Sequence, residues 1–343
     1  MPDMTHDTII LGAGVAGLAA AGVLQRAGRG VVVLEKSRGL GGRAATRRWD
    51  GRPVDHGAQF FTARSEAFKK QVSDWLAAGV CHEWTHGFHQ YRDGRLSAPE
   101  DGSFPRYVCR EGMSALGRAL ASKENAPIER QAKVTTILCE HGGWIIACED
   151  GREFRGRHLV ITCPPPQGAV LLEGAAPEAA ALLRGIPMEP CLAVAARFPR
   201  RDIAWHGVQS DDTAVSWIGH DTSKRPARHD GRTIVVVHAS SGFSRDHYET
   251  PEKDAVGTLL ARASEISATD LRNPEACFLQ RWRYAQAVDP PGGEPAVSLQ
   301  APAPLILAGE CFAGGKIEGA WVSGIAAGTG LMKCPLYAAG GLG

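Results

Sequence analysis

Apolar and polar positions near the amino end of the chain follow the pattern of an α/β unit. Thr8–Leu11 is a short apolar run typical of a buried parallel strand. Val15–Ala27 is rich in alanine and leucine and predicts a helix, with Gly28 in the usual position just past its end. A second apolar run, Val31–Leu34, is followed at once by Glu35. The pattern therefore predicts a strand, a turn, a helix and a second strand in succession.

Three Asp-Gly dipeptides stand between residues that can pair as strands. Such dipeptides are the strongest short-range signal for a hairpin. They are Asp50-Gly51, Asp93-Gly94 and Asp150-Gly151. The first predicted hairpin joins Ala45–Trp49 to Val54–Phe61, and the third joins Trp144–Cys148 to Glu153–Arg155.

Further elements are predicted between residues 113 and 166. A core helix is indicated where apolar residues recur at helical spacing, at Met113, Leu116 and Leu120. Val134 begins a predicted strand, and His158–Thr162 forms another. The run Pro164-Pro165-Pro166 cannot continue a central strand, so we expect the chain to cross to a second domain there.

The pattern changes between residues 169 and 300, where neither a glycine fingerprint nor an internal repeat occurs. The elements predicted in this region are the strands Leu192–Phe198, Val215–Ile218, Thr233–His238 and Cys277–Ala285, and the helix Pro251–Ile266. A mixed sheet with helices on one side accounts for them. The tail Ala338–Gly343 is too rich in glycine to pack and is expected to fray.

Length, charge and cysteine content narrow the class of protein. With 343 residues the chain exceeds the usual size of one hydrophobic core, so we expect two domains. The 38 Lys and Arg residues nearly balance 37 Asp and Glu residues, which argues against nucleic-acid binding, because that affinity depends on neutralising phosphates. The nine cysteines form no CxxC pair, and nothing resembles a signal peptide or a membrane span. We therefore expect a soluble cytoplasmic protein with free thiols; the sequence predicts no oligomeric state.

The segment Gly12-Ala13-Gly14-Val15-Ala16-Gly17 lies between the first predicted strand and helix. The GxGxxG spacing permits a tight turn and lets backbone amides approach a pyrophosphate, at which the helix also directs its positive end. Glu35 stands where a carboxylate accepts hydrogen bonds from ribose hydroxyls and disfavours a 2′-phosphate. We interpret the segment as a dinucleotide site; the alternative is a loop of small residues in an unrelated α/β protein.

The residues after Glu35 favour FAD over a nicotinamide cofactor. Ser37–Thr46 contains a second glycine pair, Gly41-Gly42, and Arg43, which are suited to approach the same pyrophosphate. A fold that binds only a nicotinamide dinucleotide does not need them. The chain also has no second GxGxxG for a built-in pyridine-nucleotide domain.

These residues resemble the flavin amine oxidase superfamily, whose pattern is an acid followed by R-x-G-G-R-x-x-S/T. Gly41-Gly42 and Arg43 keep the family spacing from Glu35, whereas Arg38 stands one place early, with Gly39 where the family has arginine. More specific similarity is to the renalase branch, at Asp55–Thr62 (which there runs beside the flavin ring), Trp217-Ile218, Ser223-Lys224, Val237–Ser240 and Arg281–Ala285. Gln280 stands where we expect histidine.

Two carboxy-terminal segments extend the resemblance. Ala308-Gly309-Glu310 is similar to the ribityl motif A-G-D, with Glu in place of Asp. Glu318-Gly319-Ala320, followed by Ser323-Gly324, is similar to the helix whose amino end faces the flavin C2 carbonyl. By this resemblance, a helix amino terminus at Gly319-Ala320 would stabilise negative charge that develops on the flavin ring.

The resemblance implies a set of FAD-binding residues and a noncovalent cofactor. Cys311 follows Glu310 but lacks the usual context of a covalently attached flavin. The residues expected to bind FAD are Gly12, Gly14, Val15, Ala16, Gly17, Glu35, Lys36, Gly42, Arg43, His56, Gly57, Ala58, Gln59, Phe60, Val134, Gly309, Glu310, Glu318, Gly319 and Ala320.

The expected fold is α/β, a Rossmann-type FAD-binding domain of the flavin amine oxidase and p-hydroxybenzoate hydroxylase-like kind with an inserted mixed-sheet substrate domain. The FAD-binding domain is expected to comprise residues 1–66, 105–168 and 300–343, and the substrate domain residues 67–104 and 169–299. The amino-terminal turn and the carboxy-terminal segments are expected to meet in space around one FAD molecule.

Renalase-like proteins oxidise isomeric dihydronicotinamide dinucleotides to NAD(P)⁺ by hydride transfer to flavin N5, with O₂ as acceptor and H₂O₂ as product. The resemblance implies this activity and these small-molecule partners. Aromatisation of the nicotinamide ring drives the transfer, so no general base is required, and no catalytic acid–base pair is identified. The candidate residues of the substrate pocket are Phe60, Phe61, His238, Trp282 and Tyr284.

Two other functions remain open from the sequence. One is an amine or polyamine oxidase, or a carotenoid-type desaturase, of the same fold. The other is a dinucleotide-binding sensor without chemistry. No metal site is expected: His82, His86 and His89 are spaced by four and three residues, but Gly87 and the nearby Asp-Gly turn argue for irregular structure there.

Overall fold

The computed structural model describes residues 6–124, 126–225, 231–288, 293–300 and 302–333. In chain order the strands are β1 (His6–Leu11), β2 (Val31–Glu35), β3 (Thr46–Trp49), β4 (Arg52–Asp55), β5 (Cys81–Arg92), β6 (Arg95–Leu96), β7 (Glu100–Cys109), β8 (Ile128–Arg130), β9 (Val134–Glu140), β10 (Gly143–Cys148), β11 (Glu153–Ile161), β12 (Met188–Pro199), β13 (Gly207–Ser210), β14 (Val215–His220), β15 (Arg232–Ala239), β16 (Ala276–Ala287), β17 (Ala296–Leu299) and β18 (Leu305–Ala308). The helices are α1 (Val15–Arg26), α2 (Glu66–Ala77), α3 (Ala115–Glu124), α4 (Pro165–Leu172), α5 (Pro177–Arg184), α6 (Ser241–Asp246), α7 (Glu252–Ser267) and α8 (Lys316–Met332), with 3₁₀ turns at Asp221–Lys224 and Glu310–Phe312. The predicted fraying tail, Ala338–Gly343, lies outside the described residues.

The chain folds into two compact units. Unit 1 comprises Met1–Ala44, Ser114–Met188 and Ala287–Gly343, and unit 2 comprises Ala45–Met113 and Glu189–Gln286. These boundaries differ from the predicted ones in four segments: residues 45–66 and 105–113 lie in unit 2, and residues 169–188 and 287–299 lie in unit 1. The difference has a packing reason, because α4 and α5 join the core of unit 1, whereas the β3–β4 hairpin packs on the sheet of unit 2.

Unit 1 is built on a largely parallel sheet in the order β17-β18-β11-β1-β2-β8, to which β10 and β9 are added in antiparallel fashion. Its central strand, β1, pairs in parallel with β2 on one side and with β11 on the other. The chain thus leaves β1 towards one side of the sheet and returns on the other. Such a switch point opens a crevice at the carboxyl ends of the strands, where dinucleotides bind. The Rossmann-type prediction is confirmed.

Helices α1 and α8 of unit 1 pack closely because α8 presents glycine to α1. A Cβ added at Gly324 would lie 2.2 Å from the Ala16 carbonyl oxygen, and one at Gly328 would lie 2.6 Å from Val23 Cβ. Side chains at these two positions would therefore force the helices apart.

Unit 2 contains a mixed sheet in the order β16-β12-β15-β14-β13-β5-β6, with β7 paired to β5. β13 runs parallel to β5, whereas β12, β15 and β14 pair antiparallel. Successive residues of β15 point to opposite faces. Val235 and Val237 pack with Leu259 of α7, and Val236 packs with Val54 of the β3–β4 hairpin. The predicted mixed sheet is confirmed, with α7 on one face and the hairpin on the other.

Two local predictions are wrong. The three prolines do not lead to another domain but begin α4, with Pro164 as N-cap and Pro165 as first helical residue; a missing N–H costs nothing at these positions. The chain instead passes between units after Met188. The strand predicted for Val54–Phe61 ends at Asp55, whose side chain belongs to a buried network described below.

Among the described residues, no helix combines the length and the apolar character that crossing a membrane would require.

Candidate functional site

The amino-terminal glycine segment forms a turn that only glycine allows. Gly12 has a φ of +108°, a backbone conformation that residues with a side chain rarely adopt. A Cβ added at Gly17 would lie 2.0 Å from the Gly12 carbonyl oxygen. The turn leads directly into α1, whose N-cap is Gly14 and whose first turn holds no acidic residue. Backbone amides and the positive end of a helix therefore meet at the carboxyl end of β1.

Thr162, which the site prediction missed, holds this turn in place. Its hydroxyl donates to the Leu11 carbonyl at 2.8 Å and lies 3.1 Å from the Gly12 carbonyl. Thr162 directly follows β11, the strand on the other side of the switch point. The sequence contained a usable signal, because the predicted strand His158–Thr162 ends in a hydroxyl residue at the edge where dinucleotides bind.

The second glycine pair packs against the first glycine segment. The Gly41 N–H donates to the Ala13 carbonyl at 2.8 Å, and a Cβ added at Gly42 would lie 3.2 Å from Gly14 Cα. Gly117 of α3 also comes close, since a Cβ added at Gly117 would lie 2.5 Å from the Gly41 nitrogen. The two glycine segments thus form one continuous backbone surface, which fits a pyrophosphate group.

The Glu35 carboxylate lies at the end of β2, directly beside the turn. It accepts from the Ala13 N–H at 2.9 Å and from the Ser37 N–H at 2.7 Å, one bond on each oxygen. Each carboxylate oxygen accepts two hydrogen bonds, so capacity for ribose hydroxyls remains. The exposed Lys36 beside it donates to Gln167 at 3.2 Å. Val134, another predicted cofactor residue, begins β9 and is half-buried.

The carboxy-terminal motif meets the amino-terminal segments inside unit 1. The Arg43 guanidinium makes a bidentate ion pair with the Glu310 carboxylate. The Gly309 N–H donates to the Ser323 hydroxyl at 2.8 Å. The expectation that the two ends of the chain come together is confirmed for these segments. Arg43 was expected to approach a pyrophosphate, and its guanidinium here pairs with a carboxylate instead.

The start of α8 differs from the prediction. The helix begins at Lys316 rather than at Gly319-Ala320. The Gly319 N–H is already bonded to the Gly315 carbonyl at 3.1 Å, so the unbonded amides of a helix start belong to residues before it. Gly319 has a packing role, because a Cβ there would lie 2.3 Å from the Ala313 carbonyl oxygen.

In unit 2 the predicted segment Asp55–Thr62 is anchored at its first residue by a buried network of four charged side chains. This network is named here the ion quartet and consists of Asp55, Asp221, Lys224 and Arg225. Asp55 pairs with Arg225 and lies 3.5 Å from Lys224 Nζ. Asp221 pairs with the same cations, at 2.9 Å from Lys224 Nζ and 3.4 Å from Arg225. Thr46 and the Met113 N–H also donate to Asp55, at 2.7 Å and 2.8 Å.

The ion quartet is electrically balanced, with two carboxylates and two cations. Burial alone would raise the pKa of Asp55, but Arg225 and Lys224 hold that pKa below its usual value. From the sequence, Lys224 is named only as part of the Ser223-Lys224 segment of the family resemblance, and Asp221 and Arg225 are not identified as functional residues. No local pattern distinguishes these three from an exposed charged turn.

The remainder of segment Asp55–Thr62 carries polar and aromatic groups. The His56 ring stacks on Trp282 with centroids 5.5 Å apart, and the Trp282 indole N–H donates to the His56 carbonyl at 3.0 Å. Phe60 is half-buried beside Phe88 and Trp217, at centroid distances of 4.8 Å and 5.5 Å. Gly57 and Ala58 follow His56 in the chain, and the Gly57 carbonyl accepts a hydrogen bond from the Gln59 side-chain amide at 3.1 Å.

The five predicted pocket residues separate into two kinds. Phe61 is only 3% exposed and packs against Phe68, Trp75 and Tyr107, so it is a core residue with no face left for a substrate. Phe60, His238, Trp282 and Tyr284 are half-buried and keep accessible surface.

The three closely spaced histidines do not converge. They lie on strand β5, where His82 lies 2.9 Å from the Lys224 carbonyl and His86 pairs with Glu83. No group of three metal-ligating side chains occurs within the described part of the chain. Cys311 is buried, and this burial raises the pKa of its thiol to about 12, which keeps it protonated and unreactive.

Family comparison agrees with this arrangement. The NAD(P)-binding Rossmann-like domain family matches residues 10–76, and the flavin containing amine oxidoreductase family matches residues 70–330. The chain belongs to the flavin containing amine oxidoreductase family. Membership of this family implies an FAD cofactor, and the glycine surface of unit 1 is of the kind that this cofactor requires.

Individual relatives match over shorter stretches. The chain is 44% identical over 106 residues to the "Putative flavin-containing monoamine oxidase AofH" of Mycobacterium tuberculosis (strain ATCC 25618 / H37Rv), a match that covers 31% of this chain and 22% of that protein. It is 29% identical over 135 residues to the "Inactive all-trans-retinol 13,14-reductase" of Danio rerio, covering 39% of this chain and 22% of that protein. The matched segments thus span about a fifth of each of these relatives.

Solved structures show the same fold over nearly the whole chain. Cyclohexylamine oxidase from Brevibacterium oxydans IH-35A superposes with a TM-score of 0.75 at 16% identity, covering 95% of this chain and 98% of that chain. Wild-type putrescine oxidase bound to putrescine superposes with a TM-score of 0.73 at 13% identity, covering 97% of this chain and all of that chain. At these identities the likeness concerns the fold alone.

Proposed function

We propose that this oxidoreductase oxidises isomeric dihydronicotinamide dinucleotides to NAD(P)⁺, with O₂ as electron acceptor and H₂O₂ as the second product. Unit 1 is proposed to bind FAD noncovalently, and unit 2 to supply the residues that recognise the substrate. When bound, FAD supplies the hydride acceptor.

The proposed FAD contacts follow the geometry of unit 1. Gly12, Gly14 and Gly42 leave the backbone free to approach the pyrophosphate. The spare acceptor capacity of Glu35 suits the ribose hydroxyls. The buried, protonated thiol of Cys311 supports noncovalent attachment, so acid precipitation should release all of the yellow chromophore into the supernatant.

The observation that carries the substrate proposal is the pairing of carboxylates in the ion quartet. Asp55 and Asp221 are both buried, and both are paired with Lys224 and Arg225. Neither is left to bind the cation of an amine substrate. The half-buried groups nearby, such as His238 and Trp282, are neutral and suit a flat ring that donates a hydride without needing a base.

The second candidate function is oxidation of an amine. The family description and the names of the relatives favour it, since they include a monoamine oxidase, a cyclohexylamine oxidase and a putrescine oxidase. In this chain an amine would have to bind through aromatic rings alone or through a carboxylate outside the ion quartet.

Anaerobic mixing distinguishes the two candidates. The purified yellow protein would be mixed with isomeric dihydronicotinamide dinucleotides, with putrescine, with cyclohexylamine and with the common 4-dihydro form as a matched control. We expect rapid loss of the oxidised flavin absorbance with the isomers only, followed by H₂O₂ formation when O₂ is admitted. Bleaching by an amine, with none by the isomers, would overturn the proposal in favour of the second candidate.

A further inference from the structure

Two cysteines lie directly opposite each other in the β5–β7 pair of unit 2. Cys81, the first residue of β5, is paired with Cys109, the last residue of β7. Residues that are directly opposite in an antiparallel pair project their side chains from the same face. Both cysteines are buried. Their thiols therefore lie side by side in the interior of unit 2.

The hydrogen bonds beside this pair show which kind of cross-strand pair it is. The Arg110 N–H donates to the Val80 carbonyl at 3.2 Å, so the ladder is hydrogen-bonded at the position next to the cysteines. The Cys109 carbonyl is used outside the ladder, where it accepts from Arg225 Nε at 2.9 Å. Hydrogen-bonded and non-hydrogen-bonded pairs alternate along antiparallel strands. Cys81 and Cys109 therefore form a non-hydrogen-bonded pair.

A pair of this kind has the backbone spacing that a disulfide needs. In non-hydrogen-bonded pairs the Cα atoms are about 4.5 Å apart, and this separation lies within the range of about 4.4–6.8 Å that disulfides span. The pairing of β5 with β7 thus already holds the two cysteines at a bonding separation. A disulfide between them requires no movement of either strand.

Cys139 and Cys148 provide a comparison within the same chain. They also lie on two neighbouring antiparallel strands, β9 and β10, but Cys139 is opposite Trp144 and Cys148 is opposite Val134. Their register keeps them apart along the strands. Shared strand pairing is therefore not sufficient, and the register of β5 on β7 is what distinguishes Cys81 and Cys109.

We propose that Cys81 and Cys109 are a redox-active pair which closes to a cross-strand disulfide when it reacts with a small disulfide such as oxidised glutathione. The thiolate of one cysteine attacks oxidised glutathione, forms a mixed disulfide and releases one glutathione. The other cysteine then attacks the protein sulfur of the mixed disulfide and releases the second glutathione. The two cysteines lose two electrons and two protons, and one oxidised glutathione becomes two reduced ones. This inference does not rest on the proposed function.

The environment of the pair determines how fast the bond closes and what it does. Burial raises the pKa of the Cys81 thiol to about 11, so closure is slow near pH 7 and faster at higher pH, because the thiolate is the attacking species. The bond ties β5 to the end of β7 whose carbonyl binds Arg225 of the ion quartet. A cross-link also restricts the unfolded chain, so the closed form should resist urea better than the open form.

Peptide mapping of the full-length, FAD-bound protein tests the disulfide. Cleavage by trypsin after lysine and arginine places Cys81 in residues 71–92 and Cys109 in residues 107–110, each as the single cysteine of its peptide. The protein would be brought to equilibrium in glutathione buffers of increasing oxidised fraction, both from the folded state and by refolding from urea, and then alkylated and digested. We expect both routes to give the two peptides joined, and dithiothreitol to separate them.

The comparison pair sets the standard for this result. Cys139 and Cys148 share one tryptic peptide, residues 134–152, and we expect them not to be bonded to each other in the same buffers. Refolded protein that binds FAD but yields residues 71–92 and 107–110 separately, even in the most oxidising buffer, overturns the inference. A bond between Cys139 and Cys148 at equal yield also overturns it, because strand register would then not select the pair.

Urea unfolding tests the effect of the bond on stability. We expect the midpoint of the wild-type protein to be higher in oxidising than in reducing buffer, and the midpoints of Cys81→Ala and of Cys109→Ala to be the same in both buffers. Cys277→Ala removes an exposed cysteine and is the matched control, which should respond to oxidation as the wild type does. Equal midpoints for the bonded and the reduced wild-type protein contradict the stabilising role. The wild-type measurements decide the inference even if a variant does not fold.

Discussion

At the scale of single residues, the ion quartet of unit 2 shows how charge is accommodated inside a protein. Asp55 and Lys224 have no exposed surface. Leaving one such charge without its partner costs about 3–5 kcal/mol. Each of the four groups has two oppositely charged neighbours within the quartet, so a substitution that removes one member should be paired with a compensating one. The combination of Lys224→Met with Asp221→Asn follows from this balance.

Gly17→Ala tests the turn at the residue scale. The added methyl group would lie 2.0 Å from the Gly12 carbonyl oxygen, so the turn has to open. We expect a loss of about 1–3 kcal/mol in the free energy of unfolding, as for other overpacked sites, and loss of most bound FAD. The FAD content is measured from the ratio of flavin to protein absorbance, and the stability from urea unfolding.

Gly39→Ala is the matched control, because Gly39 is exposed and a Cβ there meets nothing within 4 Å. It should keep its FAD. A Gly17→Ala protein that also retains one FAD per chain would show that the turn is not the cofactor cradle.

At the scale of elements, the contact between α1 and α8 ties the two ends of the chain together in unit 1. The contact depends on glycines of α8 that face α1, at Gly324 and Gly328. The same helix follows the Glu310 motif, whose carboxylate pairs with Arg43. The position of α8 therefore determines where the carboxy-terminal motif lies relative to the glycine turn.

Two glycine substitutions on α8 should have opposite effects. Gly324→Ala places a methyl group 2.2 Å from the Ala16 carbonyl oxygen, and we expect it to destabilise the protein by about 1–3 kcal/mol and to weaken FAD binding. Gly330→Ala meets its nearest atom, Ile306 Cδ1, at 3.5 Å, an ordinary contact. It should stabilise the helix by up to about 1 kcal/mol, because alanine is the better helix former.

Urea midpoints of the two variants, measured with and without added FAD, check this prediction. Equal midpoints for the two variants would mean that α8 tolerates a side chain against α1.

At the scale of the whole molecule, the half-buried, neutral His238 links stability to pH. Its pKa is about 3 in the folded protein and about 6.5 in an unfolded chain. Between these values the unfolded state binds about one proton more at this site, so stability falls as the pH decreases from about 6.5 towards 3. Above about pH 6.5 the ring is neutral in both states and contributes no pH dependence.

Below about pH 6.5 the free energy of unfolding changes with pH in proportion to the number of protons taken up on unfolding. We expect His238→Phe to lower that number by about one and to leave the pH dependence above pH 7 unchanged. The free energy of unfolding would be measured by urea titration at several pH values from 8 to 4, for the wild type and the variant. Parallel curves below pH 6 would contradict a depressed pKa at this position.

The sequence by itself determined the structural features that depend only on residues close together in the chain. The strand, glycine turn, helix and second strand that end at Glu35 were predicted in type and in order, because apolar periodicity and a left-handed glycine are local properties. The family resemblance extended this to FAD. Only the tertiary structure decided that Thr162 supports the glycine turn, and that the prolines begin α4. Only the tertiary structure also places Lys224 between the carboxylates of Asp55 and Asp221. These features depend on pairing of segments far apart in the chain, and a short charged or hydroxyl-bearing segment has the same local pattern whether it ends up buried or exposed.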